Sequence, residues 1–363
     1  MRGERQKTLD AVRALLPEMQ RDAARLDEAA AFPEAIFVKL RALGLLTATL
    51  PASLGGQNFG EGTEGALALL ALFQLLGEGS LAVARLYEAH VNALQLVLRY
   101  GPASLASCCA RDASDGALFA LWVTDPPSGG LALNGHTLTG QKAFCSGAGA
   151  AGRALVTVAT PEGTRMAIIS LQDGVKILPH DIKLAGMRAA TTAAADFTGL
   201  TIPPDALFGD PGDYLREPVF SAGAWRGAAA ALGGLTALVK LHRDTILHRH
   251  RETDPHQQAR FGQLVIQHET ARLWMRNAAV RGCLEDDGNE AIVAYINLAR
   301  LAVEEACLTA ITLLQRGLGL QAFMAGGAPE RLMRDLATYL RQPAPDETLV
   351  KAAAHYFTAP LPR

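Results

Sequence analysis

Two adjacent acids, Asp346 and Glu347, follow the run Gln342-Pro343-Ala344-Pro345 near the end of the chain. A carboxylate that reaches a carbon acid acts as a general base, so this pair is a candidate for proton transfer. The same residues also read as local structure: Asp346 as an N-cap, with a last helix starting at Glu347 or Thr348. Asp335, next to Arg334, matches an ion pair with an arginine better than catalysis. Thr124 and Ser146 offer hydroxyls inside short, turn-bounded runs, where ordinary turn or strand roles also account for them. Five cysteines include the adjacent Cys108 and Cys109 but no C-x-x-C pair, a pattern of reduced, buried thiols. The nine histidines form no ligand cluster, and "LHRHRETDPH" (Leu247–His256) reads as an exposed helix end and loop. No metal site is expected.

The elements that must position these residues fall into three textures. Residues 1–115 carry apolar positions at helical spacing, such as Leu9, Val12, Leu15 and Leu16, and later Leu67, Leu70, Leu75 and Leu76. Residues 116–212 break into short apolar or alternating runs separated by Asn-Gly, Pro-Glu-Gly and Asp-Gly turns, the signature of a β domain built as a barrel or sandwich. Residues 213–363 return to long Ala/Leu-rich helical runs, whose apolar stripes need antiparallel partners, so a helical bundle is expected. At 363 residues the chain is long for one core. Hydrophobic residues make up 49% and charged residues 19%, with a formal net charge of −2 and no basic run, which argues against nucleic acid or an anionic membrane as partner. No unbroken apolar stretch of about 18 residues is present. The start, "MRGERQKTLDAVRALL", lacks a secretory apolar region, so a cytoplasmic location is expected.

Several ordered phrases resemble the acyl-CoA dehydrogenase family. They are "FPEAIFVKLRALGLLTATLPASLGGQNFG" (Phe32–Gly60), "YEAHVNALQLVLRYGP" (Tyr87–Pro102), "LWVTDPPSGG" (Leu121–Gly130), "LNGHTLTGQKAFCSGAGAAGRALVTVA" and "LAGMRAATTAAADFTGLTIPPDALFG" (Leu184–Gly209). The resemblance implies an α+β fold: an N-terminal helical domain, a middle β-barrel or sandwich domain facing a flavin, and a C-terminal four-helix bundle. It implies FAD, with FMN or a diffusible reduced flavin as alternatives. By position in the matched phrases, Thr124 and Ser146 give hydroxyls to the isoalloxazine, and Phe144 takes the usual Trp place against the ring. Backbone N–H groups of Val123 and Cys145 serve the pyrimidine edge. The remote half of the dinucleotide falls to a neighbouring subunit, through phrases that match Arg260, Phe261, Gln315, Gly317 and Gly319. Gln258 stands where that family has an arginine, and it cannot replace a bidentate guanidinium on a pyrophosphate. A homodimer or homotetramer is implied.

The resemblance also implies a reaction, in which a carboxylate takes the α proton of an acyl thioester while flavin N5 receives the β hydride. Counting from Asp335, the usual base position lands on Pro343, between Gln342 and Ala344. The second position known in the family, just before an arginine in "GAWRGAAAALGGL", holds Trp225. Both lack a carboxylate, leaving Asp346 and Glu347 as candidate replacements. Three functions follow: a dehydrogenase of an acyl thioester or similar small molecule with a non-standard base, a reduced-flavin-dependent monooxygenase, or a non-catalytic binding protein of the same fold. "TDPHQQARFG" (Thr253–Gly262) is similar to a phrase of the oxygenase branch.

Overall fold

A computed structural model describes residues 2–172, 174–178, 182–283, 289–341 and 344–362. The chain opens with helices α1 (Arg2–Ala29), α2 (Glu34–Ala42), α3 (Gly62–Gly79), α4 (Leu81–Tyr100) and α5 (Ala103–Ser114). Strands follow: β1 (Phe119–Trp122), β2 (Ala132–Asn134), β3 (Thr137–Thr139), β4 (Gln141–Cys145), β5 (Arg153–Thr160), β6 (Gly163–Ser170), β7 (Lys176–Leu178), β8 (Ala193–Asp196) and β9 (Leu207–Phe208). Helices then return as α6 (Val219–Gly223), α7 (Trp225–His248), α8 (Pro255–Arg281), α9 (Asn289–Leu318), α10 (Ala328–Tyr339) and α11 (Pro345–Tyr356). Helices, then sheet, then helical bundle is the order expected from the sequence.

The strands form two sheets among the described residues. One runs β3-β2-β5-β6-β9 with β1 also on β5, and the other runs β4-β8-β7. The turn signals act where they stand: β2 and β3 pair antiparallel across the Gly135 turn, and β5 pairs with β6 from Arg153↔Ser170 to Thr160↔Gly163. Trp122, Leu138, Val156, Val158 and Phe197 fill the interior between these strands.

The two helical regions share one core rather than packing separately. Val12, Leu72 and Phe73 from the first region join Leu232, Leu235, Met275, Val303 and Leu336 from the second. Small residues make this approach possible. A Cβ on Gly77 would stand 2.1 Å from the Ala230 carbonyl oxygen, and one on Gly233 would stand 2.3 Å from the Gln74 carbonyl oxygen. The α3–α7 crossing therefore tolerates no side chain at either position. Asp254 caps α8 by accepting from the backbone N–H groups of His256 and Gln257. Helix α11 departs from the expected start: Ala344 is its N-cap and Pro345 opens it, so Asp346 and Glu347 lie within the first turn. Proline at the first helical position loses no intrahelical bond, and acids favour the positive end of the helix dipole. Among the described residues no helix is long and apolar enough to cross a membrane, and no three His, Cys, Asp or Glu side chains gather as metal ligands.

His90 fastens α4 to both of its neighbours. Its Nε2 lies 2.7 Å from the Leu46 carbonyl oxygen, and its Nδ1 lies 3.0 Å from the Phe119 backbone nitrogen. The Phe119 N–H must donate to Nδ1, so Nε2 carries the ring proton and the ring is neutral. Burial pushes its pKa down to about 4. Unfolding therefore binds a proton between the ordinary histidine range, near pH 6.5, and pH 4. The stability this site contributes is complete above that window and is lost as pH falls through it. We expect the stability of the wild type relative to His90→Gln to drop by up to about 3 kcal/mol across this window, read as urea midpoints against pH. A flat difference would contradict the assignment.

Candidate active site

A cavity of about 2130 Å³ opens between the β region and the helices. Its β wall is built around an irregularity in β4. The β4–β8 register shifts between Lys142 and Cys145, and Phe144 takes a left-handed φ of 54°. A bulge of this kind re-aims one side chain. Ala143 and Cys145 stay buried, while the Phe144 ring is 52% exposed and lines the cavity. Thr124 joins this wall because its carbonyl accepts from the Ala143 N–H at 2.8 Å. Ser146 is held from behind by Trp122, whose indole N–H donates to the Ser146 carbonyl at 2.9 Å. The Ser146 hydroxyl lies 3.3 Å from that of Thr192, which also lines the cavity. Val123 lines it too, whereas the Cys145 side chain points inward and burial pushes its thiol up to about 12.

Behind this wall lies a buried cation. Lys142 is 1% exposed, and its ammonium donates to Asp125 and, at 2.8 Å, to the Thr157 hydroxyl. Burial lowers its pKa while Asp125 opposes the shift. This pair ties β4 to the segment carrying Val123 and Thr124, fixing the two halves of the wall in register.

The helical wall centres on Glu88 of α4, which is 8% exposed. Its Oε2 accepts from Arg85 at 2.8 Å and from the Tyr339 hydroxyl at 3.3 Å; its Oε1 accepts from the Asn92 amide at 3.1 Å. Asn92 in turn accepts from Arg226 of α7. The Tyr339 hydroxyl is also 3.1 Å from the Gly227 carbonyl oxygen, so Glu88 meets both α7 and α10. Burial lowers the Arg226 pKa to about 10 and, aided by Glu88, raises that of Tyr339 well above the phenol range. Of the described carboxylates that line the cavity, Glu61, Glu217, Glu290 and Glu347 are exposed, and Glu88 alone is buried.

The positions singled out from sequence distribute unevenly. Val123, Thr124, Phe144 and Ser146 share the β wall. Trp225 is buried in the helical core, edge-on to Phe73 at 6.5 Å, and does not line the cavity. Pro343 lies outside the described residues. Asp346 is exposed and does not line the cavity; Glu347 lines its rim, and its carboxylate pairs with Lys351 at 2.6 Å, which lowers its pKa. Asp335 accepts from the Met187 N–H at 2.6 Å beside Arg334 and Arg331, and burial pushes its pKa up to about 6. Arg260, Phe261, Gln315, Gly317 and Gly319 line none of this cavity. They sit where α8 meets the end of α9, with Phe261 stacked on His242 at 6.2 Å and the Gly317 carbonyl accepting from Gln257 at 3.1 Å. A single chain does not bring these two groups together.

Sequence reasoning missed Arg85, Glu88, Asn92, Thr192 and Tyr339. The signal was present for α4: polar residues at 85, 88 and 92 fall on one face of an otherwise apolar helix, "LAVARLYEAHVNALQLVL".

Residues 3–107 match the family model described as acyl-CoA dehydrogenase, N-terminal domain. The cyclohex-1-ene-1-carbonyl-CoA dehydrogenase of Geobacter metallireducens is 26% identical over 359 residues, covering 92% of each chain. Among solved structures, butyryl-CoA dehydrogenase from Megasphaera elsdenii superposes with a TM-score of 0.86 at 17% identity, covering 98% of both chains. A dibenzothiophene monooxygenase from Paenibacillus sp. A11-2, also solved with FMN, gives 0.84 at 18% identity over 97% of both.

Proposed function

We propose that the chain, whose residues 3–107 match the acyl-CoA dehydrogenase N-terminal domain, is a flavin-dependent oxidoreductase of that family that removes the α and β hydrogens of an acyl thioester, with Glu88 as the base. The observation that carries this reading is the buried Glu88 carboxylate, which faces the same cavity as the Phe144–Ser146 wall. In sequence Tyr339 lies four residues before Pro343 and Gly227 two residues after Trp225; the Tyr339 hydroxyl meets both the Gly227 carbonyl and Glu88. Arg85 and Tyr339 engage Oε2, so Oε1, with Asn92 as its donor, is the oxygen that takes the proton.

The β wall fits a flavin. An aromatic side chain half exposed inside a cavity, beside three hydroxyls just outside the ends of β1, β4 and β8, suits a flat ring with polar edges. Phe144 would cover the ring face, the Thr124 and Ser146 hydroxyls and the Val123 and Cys145 N–H groups would hold its edge, and the cofactor, when bound, would supply a hydride acceptor. FAD is the expected form. Gln258 favours a second reading, in which a mononucleotide or diffusible reduced flavin serves a monooxygenase: its amide is committed to the Glu252 carbonyl at 3.0 Å, where a pyrophosphate-binding arginine would stand.

The Arg260–Gly319 group serves the flavin of a second copy, so the protein is a homodimer or homotetramer. Val265, Ile266 and Leu273, exposed on α8, offer the apolar face for that contact. Light scattering is expected to give two or four copies, and a monomer at micromolar concentration would contradict it. Anaerobic mixing of the flavin-loaded protein with a panel of acyl thioesters is expected to bleach the flavin. Glu88→Gln slows bleaching by about 10²–10⁴-fold, while Asp346→Asn and Glu347→Gln stay close to wild type. Absence of bleaching at every chain length rules out acyl dehydrogenation; a colourless protein that takes up reduced flavin supports the monooxygenase instead.

A further inference from the structure

Helix α10 touches both walls of the cavity. Its Tyr339 reaches Glu88 on the helical wall. One turn earlier, Arg334 and Asp335 grip residues 185–187, the segment that leads to the β wall. The Arg334 guanidinium donates to the Ala185 carbonyl at 2.6 Å, and it is itself held by Asp27 of α1 at 2.6 Å and by Glu330 at 2.7 Å. Gly186 lies so close to α10 that a Cβ there would stand 2.4 Å from the Arg334 carbonyl oxygen and 2.5 Å from the Thr338 hydroxyl. The Met187 N–H then donates to the Asp335 carboxylate at 2.6 Å. Asp335 is buried, which pushes its pKa up, and the Met187 N–H opposes that shift.

Beyond this grip the backbone is strained. Met187 and Thr191 take left-handed φ angles of 60° and 45° on either side of a short 3-10 turn, Arg188–Ala190. A β-branched residue in that region is an outlier, and the buried Thr191 hydroxyl has no hydrogen-bond partner among the described residues. Such a turn persists only where its ends are fixed from outside. Its far end is the β wall. The Gly147 N–H donates to the Ala190 carbonyl at 2.8 Å, and the Thr192 hydroxyl lies 3.3 Å from that of Ser146. Arg188 adds one bond, to the Glu28 carbonyl at 3.2 Å. The turn therefore runs from α10 to Ser146 and Gly147, the residues that follow the Phe144 bulge.

We propose that Asp335 is a positioning residue for the flavin edge: by holding the Met187 N–H it fixes the 187–191 turn, and through Thr192 and Ala190 that turn sets the Ser146 hydroxyl toward the cofactor. This assignment rests on the reading of the β wall as a flavin site. Asp335 itself does not line the cavity, so it acts on a flavin only through the turn. Without its carboxylate the strained turn relaxes toward ordinary backbone, the Thr192–Ser146 contact opens and flavin binding weakens. An asparagine keeps a side-chain oxygen for the Met187 N–H, whereas an alanine keeps none. Gly186→Ala reaches the same turn from a second side, since its Cβ pushes the segment off α10 while every carboxylate stays in place.

The test takes two readings at neutral pH on the full chain freed of flavin. Hydrogen exchange reports the turn directly. In the wild type the Met187 amide is protected, and in Asp335→Ala peptides covering residues 184–192 and 146–151 exchange about tenfold or more faster, while peptides of α3 and α7 keep wild-type rates. Fluorescence titration with FAD and with FMN reports the consequence. The dissociation constant rises about tenfold in Asp335→Ala and in Gly186→Ala, and Asp335→Asn recovers most of the loss. In a Thr192→Val background, Asp335→Ala weakens binding by less than about threefold, because the contact it supports is already gone. A carboxylate that merely stabilised the fold would speed exchange throughout and add its full effect in that background. Where Asp335→Ala does not fold, Asp335→Leu carries the same readings. An unprotected Met187 amide in the wild type, uniformly faster exchange in the variant, or full additivity with Thr192→Val overturns the inference. Flavin binding with unchanged exchange in the turn removes the inference and leaves the flavin reading; failure of the wild type to bind either flavin removes the flavin reading, and localised exchange then leaves Asp335 as the holder of the turn.

Discussion

The hydrogen-bonded knot at Glu88 is the constraint around which the helical half of this protein is arranged. One carboxylate on α4 receives Arg85 from its own helix, Asn92 one turn further on, and the Tyr339 hydroxyl from α10. Through Asn92 it reaches Arg226, and through Tyr339 it reaches the backbone of α7 at Gly227. Leaving such a group buried without these donors would cost several kcal/mol, so the three helices are held to one arrangement. The small-residue crossing of α3 on α7 sets how closely they approach, and the knot sets their register. Because its members face a cavity rather than closed core, the same bonds that fasten the helices also shape a polar wall.

The β half presents its own wall by a different device. A bulge in β4 turns Phe144 outward between two buried neighbours, at a left-handed φ that a bulky residue adopts only when its surroundings dictate it. The Lys142–Asp125 pair and the Trp122 bond to Ser146 supply that dictation. The β half thereby displays an aromatic face and hydroxyls to the same cavity that Glu88, Arg85 and Arg226 line from the helices. The proposed reaction needs both a planar hydride acceptor and a proton acceptor in one cavity.

The order of helices, strands and bundle was legible because periodicity and turn residues report it directly, as where Asn134-Gly135 closes its hairpin. The β wall was legible too, since Thr124, Phe144 and Ser146 lie in contiguous phrases. Glu88 was not. It sits in an apolar helix some 250 residues before Tyr339, its partner, and only the packing of α4 on α10 brings them together. The search for a base followed Pro343 toward the nearest acids in sequence. Helix geometry sent those acids elsewhere: α11 begins at Pro345, leaving Asp346 on the exposed side and Glu347 paired with Lys351 at the rim. Local spacing located the segment; long-range packing decided which carboxylate faced inward.

The proposed proton abstraction by Glu88 can be tested apart from hydride transfer. The direct measurement follows loss of deuterium from the α carbon of a bound acyl thioester in ordinary water, by NMR, with flavin-loaded protein and no electron acceptor. The wild type and the Asp346→Asn, Glu347→Gln double variant should both wash the label out, and Glu88→Gln should retain it. Washout that persists undiminished in Glu88→Gln, or that disappears in the double variant, would contradict the account.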